Sequence, residues 1–226
     1  MLKAIIFDCD GVIADSEPIH MAALQRLLSE EGITVTREDY FEHYLSFDDR
    51  RCFLRAFGQS GRSLTEDQLT ELIDRKGGYV ESMMHESLEL LPGAAGLIRL
   101  ASESYPLAVA SGALKREIKL ILKFGGLTDC FRAIVSAEDV ARSKPHPDPF
   151  IKALEMLNSL SESPIGPSEC LVIEDSIHGV RAAREAGMRC LAVTNSYPRE
   201  KLALAHRVVE SLTEISLDSV RRMFVD

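Results

Sequence analysis

Short runs of consecutive apolar residues recur along the chain, and each is of a length that suits one strand. Strands that are covered on both faces show such continuous runs, whereas strands with one wet face alternate apolar and polar positions. The pattern therefore predicts a sheet of buried strands. The runs are Ala4–Phe7, Leu107–Ala110, Ala133–Val135, Leu171–Ile173 and Cys190–Val193, and Val208–Val209 adds a minor edge strand.

Helical patterns fill the intervals between the later strands. They cover Ala94–Ser104, Lys115–Phe124, Pro149–Leu160 and Ile177–Ala186. Alternation of strands with helices is typical of α/β proteins, in which right-handed crossovers join parallel strands. We expect an α/β fold with an open, doubly wound parallel sheet.

A long insertion interrupts this alternation. About a hundred residues separate the first strand from the second, which is far more than an ordinary crossover needs. The segment is helical in pattern, and Thr65 is a candidate N-cap for one of its helices. We expect an α/β core of residues 1–15 and 89–226 and an inserted α-helical cap domain of residues 16–88.

Composition and charge narrow the class of protein. A hydrophobic content of 46% suits a globular core, and a net charge of −9 argues against a nucleic-acid surface. A membrane-spanning helix needs about 18 consecutive apolar residues, and no apolar stretch of the sequence is nearly that long. The N-terminal apolar run is too short for a signal peptide. The five cysteines form no C-x-x-C pair, which favours reduced thiols. We expect a cytoplasmic protein, a monomer or small homo-oligomer, that binds neither nucleic acid nor membranes.

Functional residue types follow four of the predicted strands at the point where each strand ends. Ligands of open α/β sheets bind beyond the carboxyl ends of the strands, so these residues are expected to meet in one cleft. They are Asp8 and Asp10 after the first strand, Ser111 and Gly112 after the second, Lys144 in the loop after the third, and Glu174 and Asp175 after the fourth.

Four carboxylates in one cleft would repel one another. Two like charges about 4 Å apart repel each other by about 4 kcal/mol at an effective dielectric constant of about 20, so the cluster is expected to take up protons or a cation. The donors are all oxygen atoms, with no cysteine or histidine at a matching spacing, which favours Mg²⁺ over zinc. Because Mg²⁺ in proteins is commonly shared between a few carboxylates and substrate phosphate, the sequence predicts phosphate chemistry.

The order and spacing of these residues resemble the four motifs of the haloacid dehalogenase superfamily. The motif sequences are most similar to those of the subgroup with a helical cap between the first two motifs. This subgroup includes β-phosphoglucomutase-like and phosphoglycolate-phosphatase-like proteins. The matching segments are DCDGV from Asp8, Ser111-Gly112, KPHPDPF from Lys144, and EDSIHGVRAAREAGM from Glu174. The resemblance implies a Rossmann-like core with an inserted cap, acting on a small phosphorylated metabolite.

The resemblance also implies a role for each core residue. Asp8 would be the nucleophile that forms an aspartyl-phosphate, and Asp10 would be the general acid and base. Ser111 would donate a hydrogen bond to the phosphoryl group, with the backbone N–H of Gly112 nearby. Lys144 would neutralise negative charge on Asp8 and on the transferring group.

The implied cofactor is Mg²⁺. The resemblance assigns it to Asp8, to the backbone carbonyl of Asp10, to Asp175, and to Glu174 as a further ligand. All four lie in the first and fourth motifs, so the metal site is expected at the ends of the first and fourth strands.

The cap would supply substrate specificity, and its candidates are cationic. The segment YLSFDDRR resembles the subgroup's cap loop, whose arginine binds the remote end of phosphosugars, and Arg50 or Arg51 is the equivalent here. The loop departs from the subgroup at Ser46, where a glycine is common. The segment RKGGYV points to Lys76, and His20 matches a position at the cap hinge that faces Asp10. If Arg50 and Lys76 both face the cleft, the substrate carries a second anionic group.

Three functions remain open. The first is a Mg²⁺-dependent phosphatase, with a sugar phosphate as the expected substrate. The second is a phosphosugar mutase of the β-phosphoglucomutase type, which differs only in the fate of the aspartyl-phosphate. The third is a signalling receiver domain, which is disfavoured because the cap-sized insertion has no place in a receiver. A halide-displacing enzyme is disfavoured because its site does not need Asp10 or the second acidic pair.

Overall fold

A computed structural model describes residues 1–45 and 47–225, so Ser46 lies outside the described part. The strands are β1 (Ala4–Phe7), β2 (Leu107–Ala110), β3 (Ala133–Val135), β4 (Cys170–Glu174), β5 (Arg189–Val193) and β6 (Arg207–Val209). The α-helices are α1 (Glu17–Glu30), α2 (Arg37–His43), α3 (Asp49–Gln59), α4 (Glu66–Ser87), α5 (Ala94–Ser102), α6 (Lys115–Phe124), α7 (Asp148–Ser159), α8 (Ile177–Glu185) and α9 (Leu217–Arg222).

The strands form one parallel sheet in the order β3-β2-β1-β4-β5-β6. In the register, Ile6 of β1 pairs with Ala108 on one side and with Val172 on the other. This is the doubly wound order 3-2-1-4-5-6, and it differs from the order 2-1-3-4-5 of flavodoxin-like receivers. The predicted fold class is confirmed. The strand order reverses between β1 and β4, and a crevice at the carboxyl ends of these two strands is where such sheets bind ligands.

The chain divides into two compact units. One unit combines Met1–Asp15 with Glu89–Asp226 and contains the whole sheet. The other is Ser16–Leu88 and contains α1 to α4. We refer to them as the sheet unit and the helical unit.

The sheet unit has an apolar core because its central strands are buried on both faces. Every residue of β1, β2 and β4 is buried. Phe150 of α7 and Val180 of α8 join Ile6 and Val172 in one apolar cluster, so these two helices cover one face of the sheet. Continuous apolar strands of this kind are what the sequence pattern predicts.

The helical unit has a separate core. Leu24 and Leu27 of α1, Phe53 of α3 and Leu69 of α4 belong to one buried cluster. Thr65 caps α4 as predicted, because its side chain accepts the Gln68 N–H at 3.3 Å.

Most element bounds match the sequence pattern to within two residues. β4 is one residue longer at each end than predicted and ends at Glu174, so a predicted ligand is itself the last residue of the strand. α5 ends at Ser102, two residues before the predicted end. All five cysteines are free thiols, and no helix among the described residues is long and apolar enough to cross a bilayer.

Candidate active site

The end of β1 brings Asp8 against a lysine from the loop after β3. The Asp8 N–H donates to the carbonyl of Ile173 in β4 at 2.9 Å, so the parallel ladder itself sets the position of Asp8. Its Oδ1 lies 2.9 Å from Lys144 Nζ and accepts the Cys9 N–H at 2.8 Å. Asp8 is therefore a buried carboxylate that is oriented by backbone and paired with a cation.

Glu174 shares the same lysine and is fully buried. Its Oε1 lies 2.6 Å from Lys144 Nζ. Its Oε2 accepts the N–H groups of Asp175 and Ser176, each at 2.7 Å, and the Ser176 hydroxyl at 3.0 Å. Each oxygen of this carboxylate thus has at least one donor, which holds Glu174 in one orientation.

Asp175 is buried beside the turn that follows Asp10. Its Oδ2 accepts the hydroxyl hydrogen of Ser196. The turn passes through Gly11, whose φ of 71° lies in the left-handed region, and a Cβ there would lie 1.9 Å from Asp175 Oδ2. Only glycine fits between the two motifs at this point.

Asp10 points to the end of β2. Ser111 Oγ donates to Asp10 Oδ2 at 3.2 Å and accepts the Ala113 N–H at 3.1 Å. The hydroxyl of Ser111 is therefore oriented by its own loop, and it donates its hydrogen to Asp10, the residue for which the family resemblance predicts a general acid and base.

The loop after β2 leaves one amide available. The Ala113 N–H donates to Ser111 Oγ, and carboxylates accept the two N–H groups after it: Glu117 accepts that of Leu114 at 3.0 Å, and Glu138 accepts that of Lys115 at 2.7 Å. Within the described residues the N–H of Gly112 makes no such bond. The Gly112 amide is therefore available to an anion that binds beside Ser111.

Burial and neighbouring charges shift the pKa values of four charged residues in the site in different directions. Burial raises the pKa of Asp8 well above its usual range, against the attraction of Lys144, and Glu174 and Asp10 raise it further. Burial also raises the pKa of Asp175, with Glu174 and Asp8 adding to the effect. Burial opposes ionisation of Glu174, but the attraction of Lys144 outweighs it and lowers the pKa of Glu174. Burial also opposes ionisation of Lys144, but the attraction of Asp8 and Glu174 outweighs it and raises the pKa of Lys144.

The donor set fits a hard divalent cation. One carboxylate oxygen each from Asp8, Glu174 and Asp175 lies within 4.8 Å of the others, and only oxygen donors are offered. Burial raises the pKa of Asp8 and that of Asp175, and the neighbouring carboxyl groups add to this effect because a single lysine does not neutralise all three. A cation would relieve this crowding. The side chain of Asp10 is outside this group and bonds to Ser111 instead.

The helical unit pairs its predicted cations with its own carboxylates. Lys76 of α4 is 3% exposed, and its Nζ lies 2.5 Å from Asp49 Oδ1 and 3.2 Å from His20 Nδ1. The structure thus brings together His20 and Lys76, two of the cap candidates. Arg50 lies apart from them, in an exposed bidentate pair with Glu66 at 2.7 and 2.8 Å.

Three polar residues that contact predicted site or cap residues were not themselves predicted. Asn195 and Ser196 follow β5, and their side chains bond to Gly11 and Asp175. The rule that located the other site residues, polar side chains directly after a buried strand, also applies to this fifth strand. Asp49 gave no comparable signal, because an acidic residue in the first turn of a helix is common without any partner.

The site combines motif residues from the ends of four strands, in the order expected of one superfamily. The sequence profile described as haloacid dehalogenase-like hydrolase matches residues 5–193. The chain belongs to this family. The match includes every core residue of the site, from Asp8 to Asp175.

Relatives in the haloacid dehalogenase-like family include both a mutase and a phosphatase. The chain is 30% identical over 217 residues to β-phosphoglucomutase from Bacillus subtilis, covering 94% of this chain and 92% of the relative. It is 27% identical over 218 residues to hexitol phosphatase B from Escherichia coli, covering 95% of each. Among solved structures, CbbY from Rhodobacter sphaeroides in complex with phosphate is 28% identical, with a TM-score of 0.84 and coverage of 95% of this chain and 96% of that one.

Proposed function

We propose that this protein is a Mg²⁺-dependent phosphatase that hydrolyses a small phosphorylated metabolite, a sugar phosphate, through an aspartyl-phosphate. One observation carries the proposal. A buried carboxylate, Asp8, is held by backbone at the end of the central strand and contacts Lys144 at 2.9 Å. A second carboxylate two residues later is bonded to a serine of the neighbouring strand end. A fixed nucleophile beside a separate proton carrier is what two-step phosphoryl transfer needs.

In the first step an oxygen of Asp8 forms a bond to phosphorus while the bond from phosphorus to the leaving oxygen breaks. Asp10 donates its proton to that leaving oxygen, so the product departs as an alcohol. Lys144 remains against Asp8 and offsets negative charge on the transferring group. The Ser111 hydroxyl and the Gly112 N–H donate to phosphoryl oxygens.

In the second step water attacks the phosphorus of the aspartyl-phosphate. Asp10, now ionised, takes the proton from the attacking water, and the bond between Asp8 and phosphorus breaks. Phosphate leaves, and both aspartates return to their starting states. The same residue thus donates a proton in one half-reaction and accepts one in the other.

The carboxylates of Asp8, Glu174 and Asp175 and the backbone carbonyl of Asp10 would hold Mg²⁺, which supplies positive charge to phosphoryl oxygens when bound. The crowding of three buried carboxyl groups around one lysine supports this assignment. The free thiols support a cytoplasmic location. We further propose that the helical unit acts as a cap that selects the leaving group.

The test is a screen for phosphate release from a panel of phosphorylated metabolites, including sugar phosphates, in the presence of Mg²⁺. The wild-type protein is expected to release phosphate from at least one of them, and Asp8→Asn is expected to release none while keeping its circular dichroism spectrum. Asp218→Asn, an exposed aspartate on α9, is the matched control and keeps full activity. Robust turnover by Asp8→Asn, after deamidation has been excluded by mass spectrometry, would contradict the nucleophile assignment.

A second candidate function is a phosphosugar mutase, which the 30% identity to a β-phosphoglucomutase favours. In a mutase the aspartyl-phosphate passes its phosphoryl group to a sugar hydroxyl instead of water. Incubation with β-glucose 1-phosphate and a catalytic amount of the bisphosphate separates the two. Net formation of glucose 6-phosphate without free phosphate would identify a mutase, whereas stoichiometric free phosphate identifies a phosphatase.

A further inference from the structure

The loop after β5 is bonded to two motifs that are distant in the sequence. Asn195 Nδ2 donates to the carbonyl oxygen of Gly11 at 2.7 Å, across a separation of 184 residues. The next residue, Ser196, donates its hydroxyl hydrogen to Asp175 Oδ2, across 21 residues. Two consecutive side chains of this loop thus link the first motif, at Gly11, to the fourth motif, at Asp175.

The loop is itself firmly anchored on both sides. Before Asn195, the Thr194 N–H donates to the Val209 carbonyl of β6 at 3.0 Å, which continues the pairing of these two strands. After Ser196, Tyr197 packs against the apolar cluster of the sheet unit, and Leu202 is fully buried in it. A loop fixed at both ends presents its side chains in one geometry, and this is what positioning a neighbouring ligand requires.

Asp175 is enclosed from two sides. Gly11 lies so close to its carboxylate that a Cβ would be 1.9 Å from Oδ2, and the Ser196 hydroxyl bonds to that same oxygen. A donor on one oxygen fixes the rotation of the carboxylate plane and so the direction of its other lone pairs. The Asn195 bond to Gly11 fixes the surface against which the carboxylate rests.

We propose that Ser196 and Asn195 are positioning residues that orient Asp175 for Mg²⁺, so that the end of a fifth strand belongs to the functional site. This rests on the proposed function, in which Asp175 is a metal ligand. Neither residue takes part in the chemistry. Partners that orient a metal ligand commonly contribute about 10–100-fold to metal affinity.

The test measures Mg²⁺ affinity directly, by isothermal titration calorimetry of the substrate-free protein. Ser196→Ala is expected to weaken Mg²⁺ binding by about 10–100-fold, and Ser196→Thr, which keeps the hydroxyl, is expected to restore it. Asn195→Ala is expected to weaken binding as well, since the Gly11 turn loses its donor. Ser161→Ala, in an exposed loop after α7, is the matched control and binds Mg²⁺ as the wild type does.

Kinetics provide the second measurement. Because Ser196 acts through Asp175, the Mg²⁺ concentration for half-maximal activity is expected to rise in Ser196→Ala while kcat at saturating Mg²⁺ is largely retained. The thermal midpoint in EDTA is expected to match that of the wild type. Equal Mg²⁺ affinities for Ser196→Ala and wild type would overturn the positioning role, as would unfolding of Ser196→Ala in EDTA. A wild-type protein that neither binds Mg²⁺ nor releases phosphate would overturn the proposed function together with it.

Discussion

Gly179, in the first turn of α8, shows how little room the buried carboxylates leave. A Cβ at this position would lie 1.6 Å from Glu174 Oε1 and 1.9 Å from its Cδ. Glu174 cannot swing away without losing Lys144 or the donors on Oε2. Hydrogen bonds to charged groups contribute about 1.5–3 kcal/mol each, so Gly179→Ala is expected to destabilise the protein by at least about 2 kcal/mol and to lower kcat/KM more than about tenfold. Urea denaturation and phosphate release measure the two effects.

Gly78 is the matched control for this substitution. It also lies inside a helix, α4, but an added Cβ there meets no atom within 4 Å. Alanine has a higher helix propensity than glycine by up to about 1 kcal/mol. Gly78→Ala is therefore expected to be neutral or slightly stabilising. If Gly179→Ala were equally harmless, the close packing of α8 against Glu174 would not constrain the site.

At the residue scale, the sequence predicts the location of a side chain well where the backbone alone determines that location. Asp8 and Glu174 lie within or directly after strands, so their location follows from strand order and length alone. Lys76 and Arg50 have long side chains on helices, and which carboxylate each one pairs with depends on the packing of several helices. The sequence alone therefore did not identify Asp49 as the partner of Lys76 or Glu66 as the partner of Arg50.

Helices α3 and α4 are joined by an ion pair whose lysine is buried and whose aspartate is partly exposed. The side chain of Lys76 is 4% exposed, that of Asp49 is 22% exposed, and the two are 2.5 Å apart. Removing one partner of a fully buried pair costs about 3–5 kcal/mol, and the partial exposure of Asp49 reduces this to about 2–3 kcal/mol. Asp49→Ala is expected to destabilise the protein by that amount in urea denaturation, because it removes the carboxylate that contacts the buried Lys76 ammonium.

Two further variants separate this effect from a simple loss of contacts. The double variant Asp49→Ala/Lys76→Met replaces the remaining charge with an apolar side chain and is expected to recover most of the loss. Arg50→Ala removes a neighbouring but exposed pair with Glu66 and is expected to change stability by less than about 1 kcal/mol. A loss for Arg50→Ala as large as that for Asp49→Ala would show that burial does not govern these pairs.

At the scale of elements, the strands and helices α5 to α8 followed from the apolar pattern, whereas α2, α3 and α9 were not singled out. The rule that places polar residues after buried strands also covers the loop after β5, but the partners of that loop did not follow from the sequence. Its serine and asparagine are ordinary loop residues by composition. Only the pairing of β5 next to β4 brings Ser196 to Asp175, and that pairing is a property of the whole sheet.

For the molecule as a whole, strand order explains why distant motifs meet. Because β4 lies beside β1, the end of β4 carries Glu174 and Asp175 to Asp8 across more than 160 residues of sequence. In the receiver-type order 2-1-3-4-5, β3 lies between β1 and β4, so the ends of β1 and β4 would not be neighbours. All three carboxylates belong to the sheet unit, and no described residue of the helical unit joins this cluster.

Mg²⁺ is therefore expected to stabilise the two units unequally. A ligand that binds only the folded state adds about 2.7 kcal/mol at a concentration of 100 times its Kd, and local opening is suppressed where the ligand binds. In hydrogen–deuterium exchange with and without Mg²⁺, slower exchange is expected at the ends of β1 and β4 and in the loop of Asn195, and unchanged exchange in residues 16–88. Asp175→Asn, which removes one charged ligand, is expected to abolish the difference. Protection that instead fell mainly on the helical unit would assign the cation to a different set of carboxylates.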